Sequence, residues 1–235
     1  IGHGLIDQIP AAVITAHEDV NDADGDGIYG VARRLTVAGN LEIGRFGWKA
    51  QIPRLADFVN DAMFGELGLT TPDNGRGFAG LVDADNVPDP EVSQDQVDDI
   101  AHFMAMLPPP PRGGSTDPLL TAGLKTFHSI GCAKCHTPSL ASPLGPVPLF
   151  SNLLLHNVMP VGYRGMAEPG AEAGFFKTPP LWGIKGTAPY MHDGRAEDLR
   201  GAILAHFSEA EAVRVSYESL TTAEQDALIL FLEDL

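Results

Sequence analysis

Cysteine is almost absent from this chain: two residues in 235, at positions 132 and 135. That excludes a small disulfide-stapled fold, which needs several pairs. It also excludes a cysteine-rich structural zinc site, since histidines would have to supply the other ligands. Basic residues are scarce as well, 15 against 31 acidic ones, for a formal net charge of −16. Such a surface is repelled by nucleic acid and by anionic lipid. It suits either plain solubility or a basic protein partner steered in by the field. No apolar run approaches the ~18 residues of a membrane-spanning helix. No phosphate-binding loop, nucleophile triad or H-E-x-x-H is present. Aromatic residues make up only 7%, whereas Gly (26) and Pro (19) are plentiful. That balance predicts short helices and long irregular loops, hence an all-α fold of helical modules.

The clearest boundary is "LPPPPRGGSTDP" at 107–118, which cannot continue a helix. Before it, "SQDQVDDIAHFMAML" predicts a helix: Ser93 and Gln96 form a capping box, and Val97, Ile100, Phe103, Met104 and Leu107 recur at helical spacing. After it, "DPLLTAGLKTFHSIGC" predicts a helix ending near Gly131. The C-terminal "TTAEQDALILFLEDL" repeats the capped pattern with Thr221 and Glu224. Ungapped, Asp98/Asp226, Phe103/Phe231 and Leu107/Leu235 coincide. Upstream, Trp48 matches His192, Leu55 matches Leu199 and Val59 matches Ile203. The common order predicts two diverged copies of one module, 1–112 and 113–235. The first has no haem-attachment motif and the second has one.

That motif is "CAKCH", Cys132 to His136, the attachment signature of c-type haem. Each thiol adds across one vinyl group of the porphyrin. The helical turn between the cysteines spans the two vinyls, and His136 follows as proximal ligand. A disulfide would leave His136 unexplained, and a thioredoxin-type pair would want a βαβ context. Covalent haem also leaves no free thiol, consistent with a periplasmic or otherwise exported protein. The chain opens mid-pattern at "IGHGLIDQIP", as expected of a processed chain or of one lacking a front piece.

The sixth position of the iron has several candidates: Met159, Met166, Met191, Tyr163, Tyr190, His156, His192 and His206. His206 shares a helical face with Leu199, Ala202 and Ile203. On periodicity it is either a ligand or a core histidine bonded to a backbone carbonyl. "DADGDG" places Asp22, Asp24 and Asp26 in alternation before Gly27, like half of an EF-hand loop, though position twelve is Arg33 and no closing Glu is present. Calcium is therefore a second candidate cofactor, set against a simple acidic turn.

"GLIDQIP", "DADGDGI", "GRFGWKA", "GCAKCHTPSL", "LLLHNV", "TPPLWGI", "HDGRAEDLRGAILAH" and "FLEDL", in that order, resemble the bacterial di-haem oxidoreductases described as thiol oxidoreductases. These are distant relatives of the bacterial di-haem cytochrome c peroxidases and of the methylamine-dehydrogenase maturation enzyme. The resemblance covers nearly the whole chain and implies a cytochrome c-like fold. It implies that His206, fourteen places after His192, is the sixth ligand, giving bis-histidine iron. It implies that Trp48 corresponds to the tryptophan between the two haems, and Glu66 to the acid beside the peroxide-binding haem. Phe58 stands where that family has a glutamine. The family's first C-x-x-C-H has no counterpart here, so one haem c per chain is expected. The relatives bind peroxide at the first-module haem, for which this chain has no attachment motif, so the leading expectation is electron transfer through the one haem. A peroxidase-like enzyme whose active haem lies outside this chain, and a haem-relay subunit of a larger redox complex, are the alternatives. The expected partner is a redox protein such as a small basic cytochrome, with a homodimer or a larger complex as the assembly.

Overall fold

The computed structural model describes residues 1–73 and 86–235. It corrects the all-α expectation. Among the described residues, eight α-helices are accompanied by three two-stranded antiparallel sheets, so the content is mixed. The helices are α1 (His3–Asp7), α2 (Ala11–Thr15), α3 (Leu55–Leu67), α4 (Gln94–Met106), α5 (Pro118–Ser129), α6 (Leu199–Leu204), α7 (Glu211–Glu218) and α8 (Thr222–Asp234). The strands pair as neighbours: β1 (Arg34–Val37) with β2 (Asn40–Ile43), β3 (Leu140–Ser142) with β4 (Gly145–Val147), and β5 (Leu155–Asn157) with β6 (Phe175–Lys177). Each is three or four residues long. That is too short for an alternating pattern to show against the loops.

The capped helices form where their sequences place them. At α4 the Ser93 hydroxyl accepts from the Gln96 amide, and the Gln96 side chain accepts from the Ser93 amide at 2.9 Å. At α8 Thr221 and Glu224 do the same. Asp117 caps α5 by accepting from Leu119 N at 2.8 Å, with Pro118 in the first turn. Of the periodic apolar residues at α4, Val97 is fully buried, Ile100, Met104 and Leu107 are half-buried, and Phe103 is 64% exposed.

Two main apolar cores follow. The first joins Ile6, Ile9, Ile14, Phe46, Ile52 and Leu55 to Leu140, Leu149, Leu153 and Leu154, from both sides of the proline-rich stretch. The second is built on α5 and α8, where Phe127, Phe150 and Phe231 pack edge to face with centroids 5.5–5.9 Å apart. Gly123 permits this approach. A Cβ there would lie 2.1 Å from the Ala227 carbonyl oxygen of α8. Leu55 and Leu199, matched in the internal repeat, are both buried and both open a helix.

Candidate functional site

The haem-attachment motif leaves α5 through a tight reversal. Gly131 has φ 102°, a left-handed conformation that favours glycine, and turns the chain into a 3-10 turn at Cys132–Lys134. His136 N then bonds to Cys132 O at 2.9 Å, which closes the motif into one helical turn. No disulfide joins the two cysteines. Burial pushes the Cys132 thiol up to about 12.

Above this turn lies an apolar cavity of about 390 Å³, within the size range of sites for large organic ligands. Cys132, Cys135, His136, Met191, His192 and His206 all line it, together with apolar residues of the α5–α8 core. The two imidazoles are prepared in the same way. His136 Nδ1 lies 3.0 Å from Phe150 O, and His206 Nδ1 lies 2.7 Å from Ala202 O. A carbonyl only accepts, so each Nδ1 carries the proton and each Nε2 keeps its lone pair. Burial holds both rings neutral. His136 is pushed down to about 3, with the charge of His206 a smaller contribution, and His206 is lowered as well. Neutral rings with Nδ1 fixed to the backbone and Nε2 free are the form in which histidine binds a metal.

His206 reaches the cavity from just beyond α6. The helix ends at Leu204, and the His206 amide bonds to Ile203 O at 3.2 Å. The carbonyl bond anticipated for a core histidine is present, and it is the bond that orients the ring as a donor.

The remaining sixth-position candidates are mostly committed elsewhere. His156 is 2% exposed, with Nδ1 2.9 Å from Glu209 and 3.6 Å from Cys135 Sγ, and Nε2 3.0 Å from Asn152. Burial opposes its charge, but the Cys135 sulfur and the Glu209 carboxylate outweigh burial and raise it to about 9. Tyr163 and His192 bond to each other, Tyr190 donates to Ile184 O, and Met159 sulfur faces the Arg195 guanidinium. Met166 is 80% exposed and does not line the cavity. Met191 lines it with a φ of 68°, and its sulfur meets no polar partner among the described residues.

Trp48 lines the same cavity and is half exposed. Its carbonyl accepts from Lys177 N at 2.8 Å, which ties the tryptophan turn to β6. Its ring meets its repeat counterpart His192 edge-on, with centroids 6.4 Å apart. Glu66 is exposed near the end of α3 and is not part of the lining. Phe58 packs on the first core beside His3.

The acidic loop has a different grouping from the one its spacing suggests. Ligand oxygens of Asp19, Asp22 and Asp24 lie within 4.8 Å of one another. Asp26 instead pairs with Lys134 at 2.6 Å, inside the haem-attachment motif. Sequence reasoning missed Asp19, Asn152 and Glu209. The only local signal for Glu209 was an acid three residues beyond His206.

No helix among the described residues is long and apolar enough to cross a membrane. Cytochrome-c peroxidase IdrP2 of Pseudomonas sp. (strain SCT) is 36% identical over 74 residues, 31% of this chain and 20% of that protein. Methylamine utilization protein MauG of Paracoccus denitrificans (strain Pd 1222) is 38% identical over 78 residues, 33% of this chain and 18% of that protein. The matched region is thus about a fifth of the length of these relatives. Among solved structures, hydrazine synthase of Kuenenia stuttgartiensis shares 23% identity over 61% of this chain and 56% of its own, with a TM-score of 0.48. The family described as "Di-haem oxidoreductase, putative peroxidase" matches residues 1–235, and the chain belongs to that family of haem-dependent redox proteins.

Proposed function

We propose that this chain holds one covalent haem c in the cavity above Cys132 and Cys135 and passes electrons through it. The observation that carries the reading is the matched pair of imidazoles. His136 and His206 each have Nδ1 fixed to a backbone carbonyl and Nε2 unpaired, in one apolar cavity with both thiols. The donor set fits the group: Cys132 and Cys135 would bond its vinyls, His136 and His206 would ligate its iron, and the apolar walls would enclose the porphyrin. Haem supplies the one-electron couple of its iron. The protein's part is to fix both axial rings by their second nitrogens, which limits rearrangement between oxidation states, and to exclude water with the α5–α8 core. Trp48, half exposed and lining the cavity, gives a route for electrons to the surface. A periplasmic location and a basic redox-protein partner fit covalent haem and the charge of −16.

A second reading is favoured by the family itself, which is di-haem, while the two cysteines serve one attachment site. In that reading the haem here relays electrons to a peroxidase-like centre outside this chain. Bound calcium, if taken up, is held by Asp19, Asp22 and Asp24.

Denaturing electrophoresis with a haem stain tests the attachment. The wild-type band should keep its colour, and the Cys132→Ala, Cys135→Ala double variant should lose it. A double variant that still holds haem covalently overturns the reading.

A further inference from the structure

We propose that Tyr163 and His192 form a redox-active phenol–imidazole pair at the mouth of the cavity, in which the phenol yields one electron while its proton crosses to His192 Nε2.

The pair is close and well fixed. Tyr163 Oη lies 2.7 Å from His192 Nε2, with the two rings near perpendicular at 88°. His192 is stacked on Phe176 at 4.0 Å and 24°, and Trp48 meets it edge-on. It therefore has little freedom to turn away. Tyr163 is backed by Gly165, where a Cβ would lie 2.4 Å from the phenol ring and 2.6 Å from its oxygen. Only a residue without a side chain lets the loop close over the ring in this way.

The electrostatics suit a proton acceptor at rest. Burial keeps His192 low, and the cations Arg195 and Lys49 keep it lower still, against the opposing charge of Asp193. The ring is neutral at physiological pH, with Nε2 open to the phenolic hydrogen when Nδ1 carries the proton. Arg195 also sits 5.5 Å from the centre of the Tyr163 ring and is itself paired with Asp193.

The placement gives the pair a purpose. His192 and Trp48 both line the cavity, while Tyr163 sits in a loop whose neighbours Val161 and Met166 are 101% and 80% exposed. The pair spans from the cavity wall to the outside. In the step itself the phenolic O–H bond breaks and an N–H bond forms at Nε2. One electron leaves the phenol for an oxidant, and both particles return on reduction. In the working protein the oxidant is a peroxidase-like haem centre raised above its ferric state, since a ferric bis-histidine haem is too weak to take an electron from a phenol, and this part alone rests on the second reading given above. Without the proton acceptor the product would be a phenol radical cation, which is far harder to reach.

The test uses the haem-loaded chain and photogenerated tris(bipyridine)ruthenium(III) as one-electron oxidant, followed by freeze-quench electron paramagnetic resonance. Wild type should give a tyrosine radical whose signal narrows with ring-deuterated tyrosine. Tyr163→Phe, which keeps the ring and its packing, should lose that signal. The rate of phenol oxidation should fall in D₂O. His192→Phe should slow it and abolish the isotope effect, a readout that a purely structural hydrogen bond would not move. A signal that persists in Tyr163→Phe, or a rate indifferent to both D₂O and His192→Phe, overturns the proposal. Haem is scored separately by its pyridine haemochrome spectrum. A Tyr163 radical in a chain without covalent haem would sink the haem reading and leave the pair standing, and the converse result would do the opposite.

Discussion

Glu209 and His156 form a buried ion pair, 2.9 Å from Oε2 to Nδ1, three residues downstream of His206. The same carboxylate accepts from Asn157 N at 2.7 Å and Tyr29 N at 3.0 Å. One acid thus ties together β5, the loop at 28–30 and the segment that delivers His206 to the cavity. Removing one partner of a buried pair typically costs about 3–5 kcal/mol, because the other charge is left without compensation. Glu209→Ala should therefore lower the urea midpoint strongly, and Glu209→Gln less so. Equal midpoints for Glu209→Ala and wild type would show that the pair contributes nothing.

The same pair predicts a pH profile. His156 is held above its ordinary value near 6.5 by the Cys135 sulfur and the Glu209 carboxylate against burial; the carboxylate's share remains when Cys135 is bonded to haem, so its contribution is complete below 6.5 and is lost as pH rises through the raised value. Glu209 is lowered: burial opposes this, and the His156 bond and backbone amides prevail. Its contribution is present above the ordinary glutamate range and is lost as pH falls through its depressed value. Lys177, pushed down to about 8 by burial, pulls the other way on the alkaline side. Unfolding free energies of wild type and His156→Gln, measured from pH 5 to 10, should therefore converge as pH rises from 7 to 10. Parallel curves would remove His156 from the account.

Helix contact predicts a third outcome. Gly123 lies where α5 meets α8, and a methyl group there would run into the backbone of Ala227 and Phe231 Cβ. Backbone cannot turn aside as a side chain does, so the helices must separate. Overpacking of this kind costs about 1–3 kcal/mol. Gly123→Ala should lower the melting temperature and loosen the Phe127–Phe231 contact. Gly186→Ala, where a Cβ meets nothing within 4 Å, is the control.

What the sequence made legible follows physical range. The capping boxes at Ser93 and Thr221 and the turn from Gly131 through His136 rest on contacts three or four residues apart, and such patterns survive in a string of letters. The strands do not. "LHN" and "FFK" have meaning only because β5 and β6 lie side by side, with His156 opposite Phe176. The exposure of Phe103 and the pairing of Asp26 with Lys134 depend on partners far along the chain. His206 stood out in the sequence only through the family resemblance, which counts fourteen places on from His192. Its orientation comes from Ala202 O, and its setting from Glu209, neither of which the spacing could show.

Calcium titration by calorimetry tests the acidic loop. The oxygens of Asp19, Asp22 and Asp24 converge, whereas Asp26 is held by Lys134. If the loop binds, Asp24→Asn should weaken affinity by on the order of tenfold, since affinity follows the charge of the ligand set. Asp26→Asn should change it less. The reverse ranking would restore the grouping read from sequence, and no heat in wild type would leave an acidic turn.

His206 decides what the proposed haem can do. Its Nε2 is free, its ring is neutral, and its Nδ1 is pinned to Ala202 O. Two imidazoles keep iron low-spin, lower its potential relative to a His/Met site and close it to peroxide. His206→Ala should open the sixth position, giving high-spin iron that binds cyanide and added imidazole readily. His206→Met should stay low-spin and move the midpoint potential upward. Of the other candidates lining the cavity, Met191 is the one whose side chain has no polar partner among the described residues to hold it back. A His206→Ala spectrum that stays low-spin through a sulfur ligand would identify Met191 as the replacement, and the His206→Ala, Met191→Leu double variant should then become high-spin. An unchanged spectrum and midpoint potential in both variants would remove His206 from the iron altogether. The electron-transfer reading would then need a different sixth ligand.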